Sequence, residues 1–169
     1  MKTQIVLTVM LVSAAAYAAD ANTGQPVDTA AAFSRLKSLV GEWQSDSDQG
    51  KARLTYELIA GGTALVERER AENRPEMLTV YHLDQGRLLL THYCMAGNQP
   101  RMQASAFQPA TGELKFQFLD ATNLPSQAAG HMHNVTLRFV DDQHLIAEWQ
   151  FYENGQVKMT EAAQYARVR

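Results

Sequence analysis

Ala52, Leu54, Tyr56 and Leu58 alternate with Arg53, Thr55 and Glu57, the period of two that gives a strand one apolar and one wet face. Gly61-Gly62 turns the chain, a second strand runs from Thr63 to Arg70, and Asn73-Arg74-Pro75 breaks it. Met77 to Leu83 and Arg87 to Met95 form the clearest hairpin, around Asp84-Gln85-Gly86, where glycine supplies the positive φ of a tight turn. Met102 to Gln108 and Glu113 to Leu119 make another across Pro109 to Gly112. His131 to Val140 joins His144 to Tyr152 through Asp141-Asp142-Gln143, and Asn154-Gly155 leads into Gln156 to Ala166.

One segment has helical period. Phe33, Leu36 and Val40 fall at i, i+3 and i+7 over Thr29 to Val40, Asp28 or Thr29 can cap the start, and Gly41 ends it. A short N-terminal helix followed by eight to ten strands on short turns predicts a mainly β fold. A meander must expose two edges or close, and closure removes them. The expected architecture is an up-and-down antiparallel β-barrel with the helix over one end; a β-sandwich with hairpin connections is the alternative.

The first residues do not fit that domain. Met1-Lys2 is a short positive start, Ile5 to Val12 an almost unbroken apolar run, and Ala16-Tyr17-Ala18 a small-x-small cleavage pattern. Residues 1–18 are therefore expected to be a secretory signal peptide, 19–28 a flexible lead-in, and 29–169 the barrel domain. Removing Lys2 with the leader moves the formal net charge from −3 to −4. A periplasmic or secreted location follows, and no cysteine stands behind Ala18 to be lipid-modified. No later apolar run reaches the roughly 18 residues that a membrane-spanning helix needs. Fifteen Lys and Arg against eighteen Asp and Glu, dispersed, leave no basic stripe for nucleic acid. Cys94 is the single cysteine, so no internal disulfide forms.

Phe33 to Trp43, a short helix running into Gly41-Glu42-Trp43, resembles the opening of calycin (lipocalin-like) barrels, in which the tryptophan closes the barrel bottom. Met77 to His82, Thr91 to Cys94 with Gly97 to Met102, and Asp120 to Leu124 followed by His131-Met132-His133 resemble a group of exported, functionally uncharacterised bacterial proteins. The resemblance implies a lipocalin-like barrel in a periplasmic or secreted setting and brings no reaction with it. A more distant likeness to the haem-binding nitrobindin barrels rests on the same helix and Gly-x-Trp. It reproduces no haem motif residue by residue, and no cofactor is assigned.

Strand parity places His92 and Cys94 with Leu88 and Leu90, and His131 and His133 with Val135, Leu137 and Phe139. Both pairs then project toward the apolar interior. Two side chains at i and i+2 lie about 6.5–7 Å apart, within reach of one ion, and three imidazoles with a thiolate would suit zinc or copper. The same groups equally suit a polar wall of a ligand cavity. Asn98, Gln99, Arg101, Asp120, Thr122 and Asn123 stand where the two longest loops meet the strands, at an expected barrel rim. Met77, Met95, Met102, Met132 and Met159 are candidates for an adaptable apolar lining. No Gly-x-Ser-x-Gly, His-Glu-x-x-His or P-loop pattern occurs. The sequence therefore predicts a binder of a small hydrophobic or amphipathic molecule, oriented by His92, Arg101, Asn123, His131 and His133. A metal barrel using His92, Cys94, His131 and His133 is the second reading, and a small enzyme with a histidine acid/base at the mouth the third.

Overall fold

The computed structural model describes residues 26–47 and 50–169, so the expected leader and most of the lead-in lie outside the described residues. Helix α1 spans Thr29–Lys37, and Asp28 Oδ1 caps it by accepting from the Ala31 amide at 2.9 Å. Ten strands follow: β1 Gly41–Ser47, β2 Gly50–Ile59, β3 Ala64–Ala71, β4 Met77–Asp84 and β5 Arg87–Tyr93, then β6 Gln99–Gln108, β7 Glu113–Thr122, β8 His131–Phe139, β9 His144–Glu153 and β10 Gln156–Arg167. Each pairs antiparallel with the next, and β1 pairs with β10 through Trp43↔Arg167 and Gln44↔Ala166. The meander closes, as the alternation and short turns predict, and the sandwich alternative falls away. β6 and β7 are longer than expected: their pairing continues outward to Gln99↔Thr122, with register shifts after Arg101 and Ala104.

One end of the barrel is filled. Ala32, Phe33 and Leu36 of α1, with Leu39 beyond it, pack onto Trp43, Leu88, Leu90, Phe116 and their neighbours in one buried cluster. Each fully buried Leu or Phe contributes roughly 1.5–3 kcal/mol relative to exposure, so this end supplies much of the folding free energy. Trp43 is buried, and its indole N–H donates to the Leu39 carbonyl at 2.7 Å. The Arg167 guanidinium stacks 4.3 Å over the Trp43 ring and donates to the carbonyls of Val40, Ser38 and Asp142. The last strand is thereby tied to the helix and the first strand. Gly41 makes this clasp possible: its φ is +126°, and a Cβ there would stand 3.1 Å from Arg167 Nη1.

Candidate functional site

At the other end the barrel is hollow. A cavity of about 300 Å3 lies between β2, β3, β4, β5, β8, β9 and β10, at the lower end of the ~300–1,000 Å3 typical of small-molecule sites. Trp149, Phe151, Ala147, Ala163 and Tyr165 make one wall. Gly130 carries no side chain because the Phe151 ring occupies its space: a Cβ would sit 2.5 Å from Phe151 Cζ. A more open depression of about 570 Å3 over Gln44, Arg53, Arg70 and Glu72 is lined largely by charged and polar side chains.

A row of polar side chains crosses four strands at the base of the cavity. Tyr56 on β2 faces Glu67 on β3, Glu67 faces Thr79 on β4, and Thr79 faces His92 on β5. All four are buried. The Tyr81 hydroxyl donates to Glu67 Oε2 at 2.7 Å, while Tyr81 packs against Phe116 with ring centroids 5.9 Å apart. Burial pushes the Glu67 carboxyl up to about 7, against the pull of the tyrosine hydroxyls. His92 Nδ1 is 3.0 Å from Thr79 Oγ1, and its ring lies 4.8 Å from the Trp149 ring. Burial pushes the imidazole down to about 4, and Nε2 has no hydrogen-bond partner. A buried polar atom without a partner is costly, so this nitrogen is an unused acceptor or donor on the cavity wall.

Higher up, Arg74 reaches Glu161 at 3.0 Å and Glu69 at 3.9 Å. Burial raises the Glu69 carboxyl, opposed by the Arg74 charge. Met77, Met95, Met132 and Met159 line the same space, Met95 and Met159 as an exposed lip, whereas Met102 is wholly buried in the core. Cys94 also lines it; its Sγ accepts from the Ala96 amide at 3.5 Å, and burial raises the thiol.

Of the residues assigned to a ligand from sequence, His92 lines the cavity, while Arg101, Asn123, His131 and His133 do not. Arg101 forms an exposed two-point pair with Asp120 that holds the carboxyl below its ordinary range. Asn123 takes a φ of +53° and donates to the Gly97 carbonyl at 2.5 Å; Thr122 donates to Gln99 Oε1 at 2.7 Å, and Asn98 Nδ2 to the Gly130 carbonyl at 2.8 Å. These contacts join the β5–β6 and β7–β8 loops and the strands beside them to each other, while Asn98 Oδ1 stays buried without a partner. His131 and His133 depart from their expected parity because the β8–β9 register shifts between Met132 and Asn134, the two-against-one count of a bulge. Met132, not the histidines, reaches the cavity. The β7–β8 ladder stops at Gln117↔Asn134, and beyond it His133 stacks between Tyr152 at 3.9 Å and Phe118 at 4.7 Å. His131 Nδ1 donates to the Ala129 carbonyl at 2.8 Å, so its Nε2, 2.9 Å away, accepts from His133 Nδ1 when both rings are neutral. Burial, then the neighbouring His131, lowers His133. Among the described residues no three His, Cys, Asp or Glu side chains are grouped to hold a metal ion; His92 and Cys94 share the cavity wall, and the other two stand apart from it.

Sequence reasoning passed over Glu67, Glu69, Arg74, Glu161 and Trp149. A signal for the first two was present: Leu65, Glu67 and Glu69 share one parity, and the fully buried Leu65 marks that face as inward.

No protein-family model matches the chain, and no curated protein matches it in sequence. Fold and cavity together define a closed ten-stranded antiparallel barrel of calycin-like form, compatible with binding a small molecule. Among solved structures, the crystal structure of Rv2717c from M. tuberculosis resembles it with a TM-score of 0.54 at 16% sequence identity, covering 82% of this chain and 98% of that one. The likeness is one of fold.

Proposed function

We propose that this is an exported barrel protein, with residues 1–18 as leader and 29–169 as the barrel domain, that binds a small, partly hydrophobic molecule inside the barrel. The observation that carries the reading is the coexistence, in one cavity of about 300 Å3, of an aromatic and methionine wall with the unpartnered Nε2 of buried His92. Trp149, Phe151 and the methionines bury the apolar body, and His92 with Glu67 orients its polar group. Such a combination of mostly apolar lining and few placed polar groups is characteristic of small-molecule sites.

Native mass spectrometry of the protein purified from its source tests the reading. A stoichiometric small-molecule adduct is expected, and it should be lost in Ala147→Phe, which fills the cavity from β9. A ligand-free spectrum, or an adduct that persists unchanged in the filled variant, would overturn it. The same spectrum reads the mature N-terminus, expected at Ala19, and an intact Met1 would refute the leader.

A further inference from the structure

We infer that the ligand is a small organic cation, with an ammonium-type head held between Glu67 and Glu69 and an apolar body against Trp149 and Phe151; this rests on the cavity-binding reading and specifies its ligand class. The wall carries three carboxyls, Glu67, Glu69 and Glu161, against one guanidinium, Arg74. Arg74 is already shared between Glu161 at 3.0 Å and Glu69 at 3.9 Å. Among the described residues no basic group acts on Glu67: its neighbours are Tyr56 on β2, Tyr81 on β4, Tyr165 on β10 and Glu69 on its own strand. His92, on the same wall, is held neutral near pH 7 by burial. An ionised carboxylate buried without a counter-charge is expensive, and a bound cation would supply the missing partner.

Glu67 and Glu69 sit at i and i+2 on one face of β3, about 6.5–7 Å apart at their side-chain bases, so a single ammonium group can lie between the two carboxylates. His92 gives an independent pointer to a ligand. It is 3% exposed, its Nε2 lacks a partner, and in the tautomer whose Nδ1–H donates to Thr79 Oγ1, 3.0 Å away, that Nε2 is a free acceptor for an N–H of the ligand. Trp149, Phe151 and Tyr165 line the same space, and aromatic rings are suited to receive a cation and its apolar neighbour. A carboxylate or phosphate in the same place would meet three acids and one already paired arginine.

Isothermal titration at pH 8 with three probes of one shape, 2-phenylethylammonium, 2-phenylethanol and 3-phenylpropanoate, tests this. The ammonium should bind at least tenfold more tightly than either of the others. In Glu67→Gln, and in Glu69→Gln as a rim variant closer to solvent, the ratio of ammonium to alcohol affinity should fall at least fivefold while the thermal unfolding transition stays cooperative. If the alcohol or the propanoate binds as tightly as the ammonium, or if neither variant changes the ratio, the cation assignment fails and the cavity reading stands. If none of the three probes binds, both fall.

Discussion

The two ends of this barrel are built from the same alternating strands and do opposite things with them. At the helix end the barrel is filled by apolar side chains, and the cations there lie over its rings: Arg35 over Phe139, Lys37 over Phe33, and Arg167 over Trp43 with its N–H groups spent on backbone carbonyls. At the other end inward positions carry Glu67, Glu69, His92 and Glu161 around a cavity of about 300 Å3. The contrast divides labour within one fold: the filled end provides stability, which lets the hollow end hold buried ionisable groups that would otherwise be unfavourable.

The largest expected effect is at the filled end. Trp43→Ala should cost about 3–5 kcal/mol, because it removes a buried ring, leaves a void and frees the Arg167 clasp; chemical denaturation measures it. Trp149→Ala, on the cavity wall, should cost clearly less, since that ring already borders empty space. Equal losses would erase the contrast.

Next come opposed pH dependences at the hollow end. Glu67 is displaced from 4.5 to about 7 and His92 from 6.5 to about 4, each worth about 3 kcal/mol at ~1.4 kcal/mol per pH unit of displacement. The folded state holds a proton on Glu67 that the unfolded chain has lost, so this group's contribution is present below 4.5 and is lost as pH rises toward 7. The unfolded chain takes a proton on His92 that the folded state refuses, so stability falls as pH drops from 6.5 toward 4. In the native protein the two slopes largely cancel between pH 4.5 and 6.5. Glu67→Gln should expose the His92 slope, gaining on the native protein as pH rises from 4.5 to 7. His92→Gln should expose the Glu67 slope and gain as pH falls from 6.5 to 4. Stability curves of both variants that stay parallel to the native curve would show that the row is not buried as described.

Arg167→Ala should cost about 2 kcal/mol, from charge-assisted hydrogen bonds to carbonyls, with no pH dependence between 4 and 7. Smallest of all, Met95→Ala and Met159→Ala at the exposed lip should leave stability within about 0.5 kcal/mol while weakening ligand retention. A loss above 1 kcal/mol would mean that the lip is part of the core.

Much of this was readable along the chain. Asp28, the 3-4 spacing of Phe33, Leu36 and Val40, and Gly41 mark the helix through local chemistry, although the helix stops at Lys37 and leaves Val40 exposed. Alternation marked the strands, and the parity of His92 with Leu88 and Leu90 placed it inside. The methionine lining was largely anticipated, with Met102 the exception. His131 and His133 were misplaced because parity counting assumes an uninterrupted ladder, and one extra residue at His133 turns the end of β8.

By itself, then, the sequence determined the element types and their order, since period, turn residues and caps act over a few neighbours, and it favoured closure over a sandwich, which the pairing of β1 with β10 decided. Only the tertiary structure decided which side chains meet. Tyr56, Glu67, Thr79 and His92 lie on four different strands, and their alignment depends on the register of three successive hairpins, where a slip of one residue would send each to the opposite face. Arg74 meets Glu161 across 87 positions of chain for the same reason: closing the barrel brings the third strand's turn beside the last strand, and no local pattern in the residues between them encodes that contact.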